Sequence, residues 1–192
     1  LYDSLKPVSW IEQPDNIESV ILKNKPNIYL IQPDGYVGRE IMEKEPYAYN
    51  NDFYSWLENN EFKLYNNFRS NYPNTLLSNS SMFGMKQHFF GDVVIPRTEM
   101  INSRDIISGD NPVIKILKNN GYSNFLIAHD EYFQNNNCKQ LYDYTNIKLE
   151  QIPYFSHGSN VRPDLLDNLD AFLKLKIVTP KFFFIEKLQP LH

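Results

Sequence analysis

Two residues have side chains whose type and setting could do chemistry together. Asp34 follows the short apolar run Asn27–Gln32 within Pro33-Asp34-Gly35, and Thr75 opens a helical pattern over Thr75–Met85. A carboxylate just past a buried strand is a natural ligand for a hard divalent cation, and a glycine beside it allows close backbone approach. A threonine at a helix start has its hydroxyl beside free backbone N–H groups and the positive end of the helix dipole. That is a favourable place for a phosphate or sulfate ester. The hydroxyl is a poor nucleophile at neutral pH until a metal or a base removes its proton. Each feature also has a purely structural reading. Pro-Asp-Gly forms turns unaided, and Thr75 reads equally as a helix N-cap.

The remaining polar residues carry weaker signals. His129-Asp130 follows a predicted strand and could face a crevice, although a lone histidine there is more often structural. His88 has no partner at a useful spacing. Asp164, Asp167 and Asp170 recur every three residues, which is a solvated helix face. Cys138 is the single cysteine, which excludes an intrachain disulfide and a cysteine-based zinc site.

The elements that must position these groups follow from periodicity and punctuation. Residues 1–26, with Pro7, Pro14 and Pro26, read as an extended lead-in with a short strand at Ser19–Leu22. Apolar runs predict strands at 27–32, 62–68, 123–128 and 181–186. Helices are expected at 52–60, with Phe53, Trp56 and Leu57 on one face and Asn51 or Asp52 as cap, and at 75–85. A third at 112–120 has Asn111 as cap, Pro112 in first position and Gly121 as stop. A fourth at 163–175 places Leu166, Leu169, Phe172 and Leu173 on one side. Residues 87–110 and 131–162 show no regular pattern. Strands alternating with helices predict an α/β domain, with a mostly parallel sheet and helices on both faces, over 27–192. Such sheets bind ligands beyond the carboxyl ends of their strands, where Asp34 falls.

Composition narrows the class without naming an activity. The 192 residues carry 19 Lys and Arg against 23 Asp and Glu, for a net charge of −4. The basic residues are scattered, which argues against a phosphate-tracking nucleic-acid surface. No apolar run approaches the roughly 18 residues of a membrane span. The first residue is Leu, and the buried-looking strand at 181–186 lies only six residues from His192. Both features lead us to expect a longer parent chain, and uncovered sheet surface in its absence would favour self-association.

In order and spacing, several segments resemble the sulfatase-like hydrolases and transferases of the alkaline phosphatase superfamily. Lys25-Pro26-Asn27-Ile28-Tyr29-Leu30-Ile31-Gln32-Pro33-Asp34-Gly35-Tyr36 is similar to that family's opening strand, which ends in a metal-binding acidic residue. Asn51 to Leu57 and Phe62 resemble its following helix and turn. Arg69-Ser70-Asn71-Tyr72-Pro73-Asn74-Thr75-Leu76-Leu77-Ser78, with Met82-Phe83 beyond, resembles the nucleophile helix of phosphoethanolamine transferases, whose first Thr is the nucleophile. Pro180 to Phe184, through Pro190-Leu191-His192, resembles a later strand leading to a histidine near the substrate. A second register sets Tyr72-Pro73-Asn74 on the nucleotide pyrophosphatase pattern and would put Asn71 at the nucleophile position. The match over nine positions favours Thr75.

The resemblance implies an alkaline-phosphatase-like α/β fold, truncated at its C-terminus. It implies Thr75 as nucleophile and metal ligand, Asp34 as metal ligand, and Asn74 and His192 as substrate-binding residues. The implied cofactor is a divalent ion (zinc, manganese, calcium or magnesium) in the intact parent, not held tightly by these residues alone. The implied substrate is a phosphate or sulfate ester, such as a lipid head group or glycan, in an extracytoplasmic, membrane-tethered bacterial parent. No nucleic-acid partner is implied. The family's second metal cluster has an Asp-His pair, whereas Ser156-His157-Gly158 carries serine there and precedes the last strand. Cys138 lies outside any Cys-x-Pro-Ser-Arg motif. An alternative therefore stands beside the enzyme reading: a non-catalytic binding module that keeps the fold without a complete metal site.

Overall fold

The computed structural model describes residue 13 and residues 15–70, 72–87, 103–134, 141–152 and 163–188. Four strands form one all-parallel sheet: β1 (Ile28–Asp34), β2 (Ser123–Ala128), β3 (Tyr144–Thr145) and β4 (Lys181–Leu188), in the order β1-β4-β2-β3. The helices are α1 (Arg39–Met42), α2 (Asp52–Asn59), α3 (Thr75–Gly84), α4 (described over residues 103–107), α5 (Pro112–Asn119) and α6 (Leu165–Leu173). The expected α/β class with a parallel sheet is the observed one. The chain divides into two compact units, residues 1–32 with 72–187 and residues 33–71 with 188–192.

In the larger unit, strand alternation sorts side chains to two cores. Leu126 and Ala128 of β2 and Phe182 and Phe184 of β4 pack with Phe83 of α3, Ile106 and Ile107 of α4, and Ile114 and Leu117 of α5. Phe125, Ile127, Phe183 and Ile185 face the other way, against Leu165, Leu169 and Phe172 of α6. Both strands are covered on both faces, so both read as unbroken apolar runs rather than as alternating ones. The pairing of β2 with β4 runs in register from Ser123 opposite Lys181 to Ala128 opposite Glu186.

On the α6 face that register lines up four aromatic rings, one from each strand. Tyr29 stacks on Phe183 at 5.1 Å, Phe183 on Phe125 at 4.4 Å, and Phe125 on Tyr144 at 4.5 Å, all within 19° of parallel. Phe172 of α6 leans on both Phe125 and Tyr144.

The edge strand β3 was not expected from sequence. It has two residues, too few to show a period, and side chains complete its pairing. Asp143 accepts from the Asn124 N–H at 2.8 Å. Asn146 imitates a further strand residue, accepting from the Ala128 N–H at 3.0 Å and donating to the Ala128 carbonyl at 2.8 Å.

Other expectations need correction. Residues 62–68 are irregular, with a turn at 66–67, and not a strand. Glu61 (φ 65°) and Asn67 (φ 59°) adopt left-handed conformations that no strand tolerates, and Phe62, Tyr65 and Phe68 are exposed. The lead-in forms a 3-10 turn at Ile17–Ser19 rather than a strand. Asn120 then clasps it: its side-chain oxygen accepts from the Leu22 N–H at 2.8 Å and its side-chain NH2 donates to the Val20 carbonyl at 2.7 Å. The last helix is shorter than 163–175 because Asp164 caps it. Leu165, Leu169 and Phe172 turn inward, while Leu166 and Leu173 are exposed. The caps by Asn51 and Asn111, Pro112 at the start of α5 and Gly121 (φ 79°) past its end are as expected.

The aromatic row makes a graded prediction. Phe125→Leu loses two stacked neighbours in a site without solvent access and should cost about 1–3 kcal/mol. Tyr29→Leu, at the half-exposed end with one neighbour, should cost under about 1 kcal/mol. Urea unfolding of both variants measures the difference, and equal costs would show that the row does not act as a stack.

Candidate functional site

Asp34 is the last residue of β1, and the chain turns immediately after it. The Tyr36 N–H bonds back to the Pro33 carbonyl at 3.3 Å, and Gly35 takes φ 73°, which a side chain would strain. The turn chemistry read from Pro-Asp-Gly is therefore present, and it leaves Asp34 at the carboxyl end of a strand in a parallel sheet.

Thr75 is the first residue of α3 but not its cap. Asn74 has the extended backbone of a cap, and its side-chain oxygen accepts from the Leu77 N–H at 2.9 Å. This corrects the N-cap reading of Thr75. It also gives Asn74 a structural role at the residue where the resemblance implies substrate contact. Thr75 is half-buried, and its carbonyl accepts from the buried Asn79 amide at 2.9 Å. Asp34 falls in the smaller unit and Thr75 in the larger. His192, Cys138, His88 and the Ser156-His157-Gly158 segment lie outside the described residues.

The sequence places His129-Asp130 at a strand end, as observed, but gives no sign of two further carboxylates at the ends of β2 and β4, Glu131 and Glu186. Asp130, Glu131 and Glu186 are all nearly without solvent access. Asp130 caps the 3-10 turn Glu131–Phe133 by accepting from the Tyr132 N–H at 2.9 Å. The His129 N–H donates to the Glu186 carbonyl at 3.0 Å, and Nε2 of that half-buried histidine is shielded and has no hydrogen-bond partner among the described residues. Glu186 was legible only as part of an apolar run, and nothing in its spacing marks it out. Among the described residues no three His, Cys, Asp or Glu side chains converge as a metal-binding group. Asp164, Asp167 and Asp170 are exposed as expected, and Asp170 pairs with Lys174 one turn on.

An open groove of about 310 Å³ is lined by Glu18, Asp110, Lys115, Lys118, Asn119 and Leu141. Its lysines are already paired: Lys115 with Asp110 at 3.1 Å and Glu18 at 3.6 Å, Lys118 with Asp143 at 3.2 Å. Among the described residues the groove thus offers no unpaired cation to an anionic ester.

The smaller unit is held by charge and rings. Arg39 donates to Glu43 and Glu58, both at 3.1 Å, and lies over the Tyr54 ring. Glu40 accepts from the Asn67 N–H at 2.6 Å and from Arg69 at 3.1 Å. Its own backbone N–H, then Arg69 and the Asn67 N–H, hold its carboxyl below the ordinary glutamate range.

No family model, curated protein or solved structure matches the chain. Among the described residues no helix is long and apolar enough to cross a membrane.

Two predictions follow from these contacts. Asn74→Ala should cost about 1 kcal/mol in urea unfolding, whereas Thr75→Ala, which removes no cap, should stay within about 0.5 kcal/mol. The Glu40 linkage has a definite sign. Its folded pKa is lowered, so its stabilisation is full above about pH 4.3, the ordinary glutamate value, and is lost as pH falls through the lower folded value. Amide protection at residues 66–69, taken relative to intrinsic exchange at each pH, should therefore fall in that acid window, and Glu40→Gln should remove that fall.

Proposed function

We propose that these residues are the N-terminal part of a metal-dependent phosphate- or sulfate-ester hydrolase or transferase that uses Thr75 as nucleophile. One observation supports the reading most: Asp34 ends a strand of a parallel sheet, and Thr75 follows a capped helix start. Those are the two settings in which a metal-binding carboxylate and an ester-attacking hydroxyl are useful. The order of segments along the chain, as quoted above, supports it further.

In this reading the Thr75 hydroxyl attacks phosphorus or sulfur in line and gives its proton to water. The bond to the leaving oxygen breaks, and the departing alkoxide takes a proton from water to leave as the alcohol, which yields a covalent threonyl ester. Water or an acceptor hydroxyl then attacks that ester and regenerates Thr75. The positive end of the α3 dipole favours the negative oxygens of the ester. Asp34 supplies one hard oxygen donor of the kind zinc, manganese, calcium or magnesium accepts. When bound, such a cation lowers the hydroxyl pKa and offsets charge on the ester oxygens. The proposed substrates are esters of lipid head groups or glycans, and the proposed location is extracytoplasmic.

The test combines metal analysis with turnover of p-nitrophenyl phosphate, bis-p-nitrophenyl phosphate and p-nitrophenyl sulfate. It is run on this chain and on the longest natural polypeptide containing it. Two donors leave most of an ion's hydration shell to water, so this chain alone should hold little metal at micromolar concentration and turn nothing over. In the longer polypeptide, Thr75→Ala should abolish turnover with metal retained, and Asp34→Asn should weaken metal binding. Turnover that survives Thr75→Ala would refute the assignment.

A further inference from the structure

The smaller unit displays a row of aromatic rings that its own packing leaves about half exposed, with Tyr36 at one end edge-on to the buried Tyr54. Helix α2 buries Tyr54, whose hydroxyl donates to the Val37 carbonyl, and turns Phe53 and Trp56 outward. Tyr36, Phe53, Trp56 and Phe62 then touch in sequence, at centroid separations of 5.9, 5.8 and 6.3 Å. Their exposures are 41, 44, 53 and 57%. Phe53 and Trp56 are within 11° of parallel. Asn51 fixes one end, accepting from the Phe53 N–H at 3.0 Å and donating to the Tyr36 hydroxyl at 2.5 Å. Rings that hold one another's rotamers lose little freedom when a ligand arrives.

We propose that this row is a binding ledge for a neutral glycan. The C–H face of a pyranose ring stacks on a flat aromatic ring, and its hydroxyls need carboxylate or amide partners beside that ring. Helical spacing sets exposed Asp52 and Asn59, four residues before and three after Trp56, along one side of it within one turn.

Area and charge select this occupant over others. Four rings of about 200 Å² each, half exposed, present roughly 400 Å², half of what each partner contributes to a standard protein interface and enough for two or three sugar rings. Residues 33–71 carry seven acidic and four basic side chains, which disfavours nucleic acid, anionic lipid and acidic glycans. A second copy docked ring to ring would bring the exposed Asp52 beside each row toward its equivalent. The ledge binds without a metal, so it stands apart from the Thr75 reading.

Isothermal titration of the full chain in EDTA with cellohexaose, maltohexaose and chitohexaose tests the ledge, with chemical shifts of the Trp56 indole N–H as a second readout. At least one sugar should bind in the millimolar range or tighter and shift that resonance. Trp56→Ala should weaken binding by about tenfold or more, Trp56→Phe should retain most of it, and Tyr65→Ala, in the same unit but outside the row, should change nothing. Retention in Trp56→Phe separates loss of the ring from loss of the fold. No binding by any of the three sugars at about 10 mM would overturn the proposal, as would binding unchanged in Trp56→Ala. It would also be overturned by tighter binding of heparin or single-stranded DNA, or by a dimer in sedimentation that Trp56→Ala dissolves.

Discussion

The stacked row Tyr29–Phe183–Phe125–Tyr144 is the constraint on which the larger unit depends. Parallel strands have no hairpin to set their register, so something else must specify which residues lie opposite. Here one large ring per strand does so. A one-residue slip of any strand would move its ring to the opposite face and place it among the α3 and α5 contacts. The stack therefore ties strands far apart in sequence, at 29, 125, 144 and 183, into a single alignment. The α6 helix closes over it through Phe172, and the opposite face is left to the aliphatic and aromatic core shared with α3, α4 and α5.

Around that core, asparagine repeatedly substitutes for backbone. Asn51, Asn74 and Asn111 cap three helices, Asn120 clasps the lead-in, and Asn146 finishes the pairing of β3. An amide can donate and accept at once, which is what an interrupted strand or helix end requires. These five asparagines are thus structural. They also show why Asn74, one residue before the candidate nucleophile, is better understood as the group that orients the start of α3.

The smaller unit is built on other terms. Its described helices bury one large ring, Tyr54, and ion pairs of Arg39 and Glu40 supply much of the remaining cohesion. Exposed ion pairs contribute little individually, so this unit has the composition of a region that opens more readily than the sheet. Its exposed rings are consequently a choice the fold makes about what to present, since burying them would have supplied the missing stability.

The sequence by itself determined the elements whose signals are local. Asn111-Pro112 with Gly121 bounded α5, unbroken apolar runs marked β2 and β4 as buried strands, and the Pro-Asp-Gly turn ended β1, because caps, turns and apolar runs act through neighbouring residues. It pointed to Asp34 and Thr75 by the same kind of signal. Only the tertiary structure decided which face of α2 turns inward, that 62–68 is no strand, that Asn74 rather than Thr75 caps α3, and that Asp130, Glu131 and Glu186 are buried. Helical periodicity identifies a face but not its partner, and a carboxylate in an apolar run gives no local hint of burial. Those outcomes are fixed by contacts between residues distant in sequence, where packing outweighs intrinsic preference.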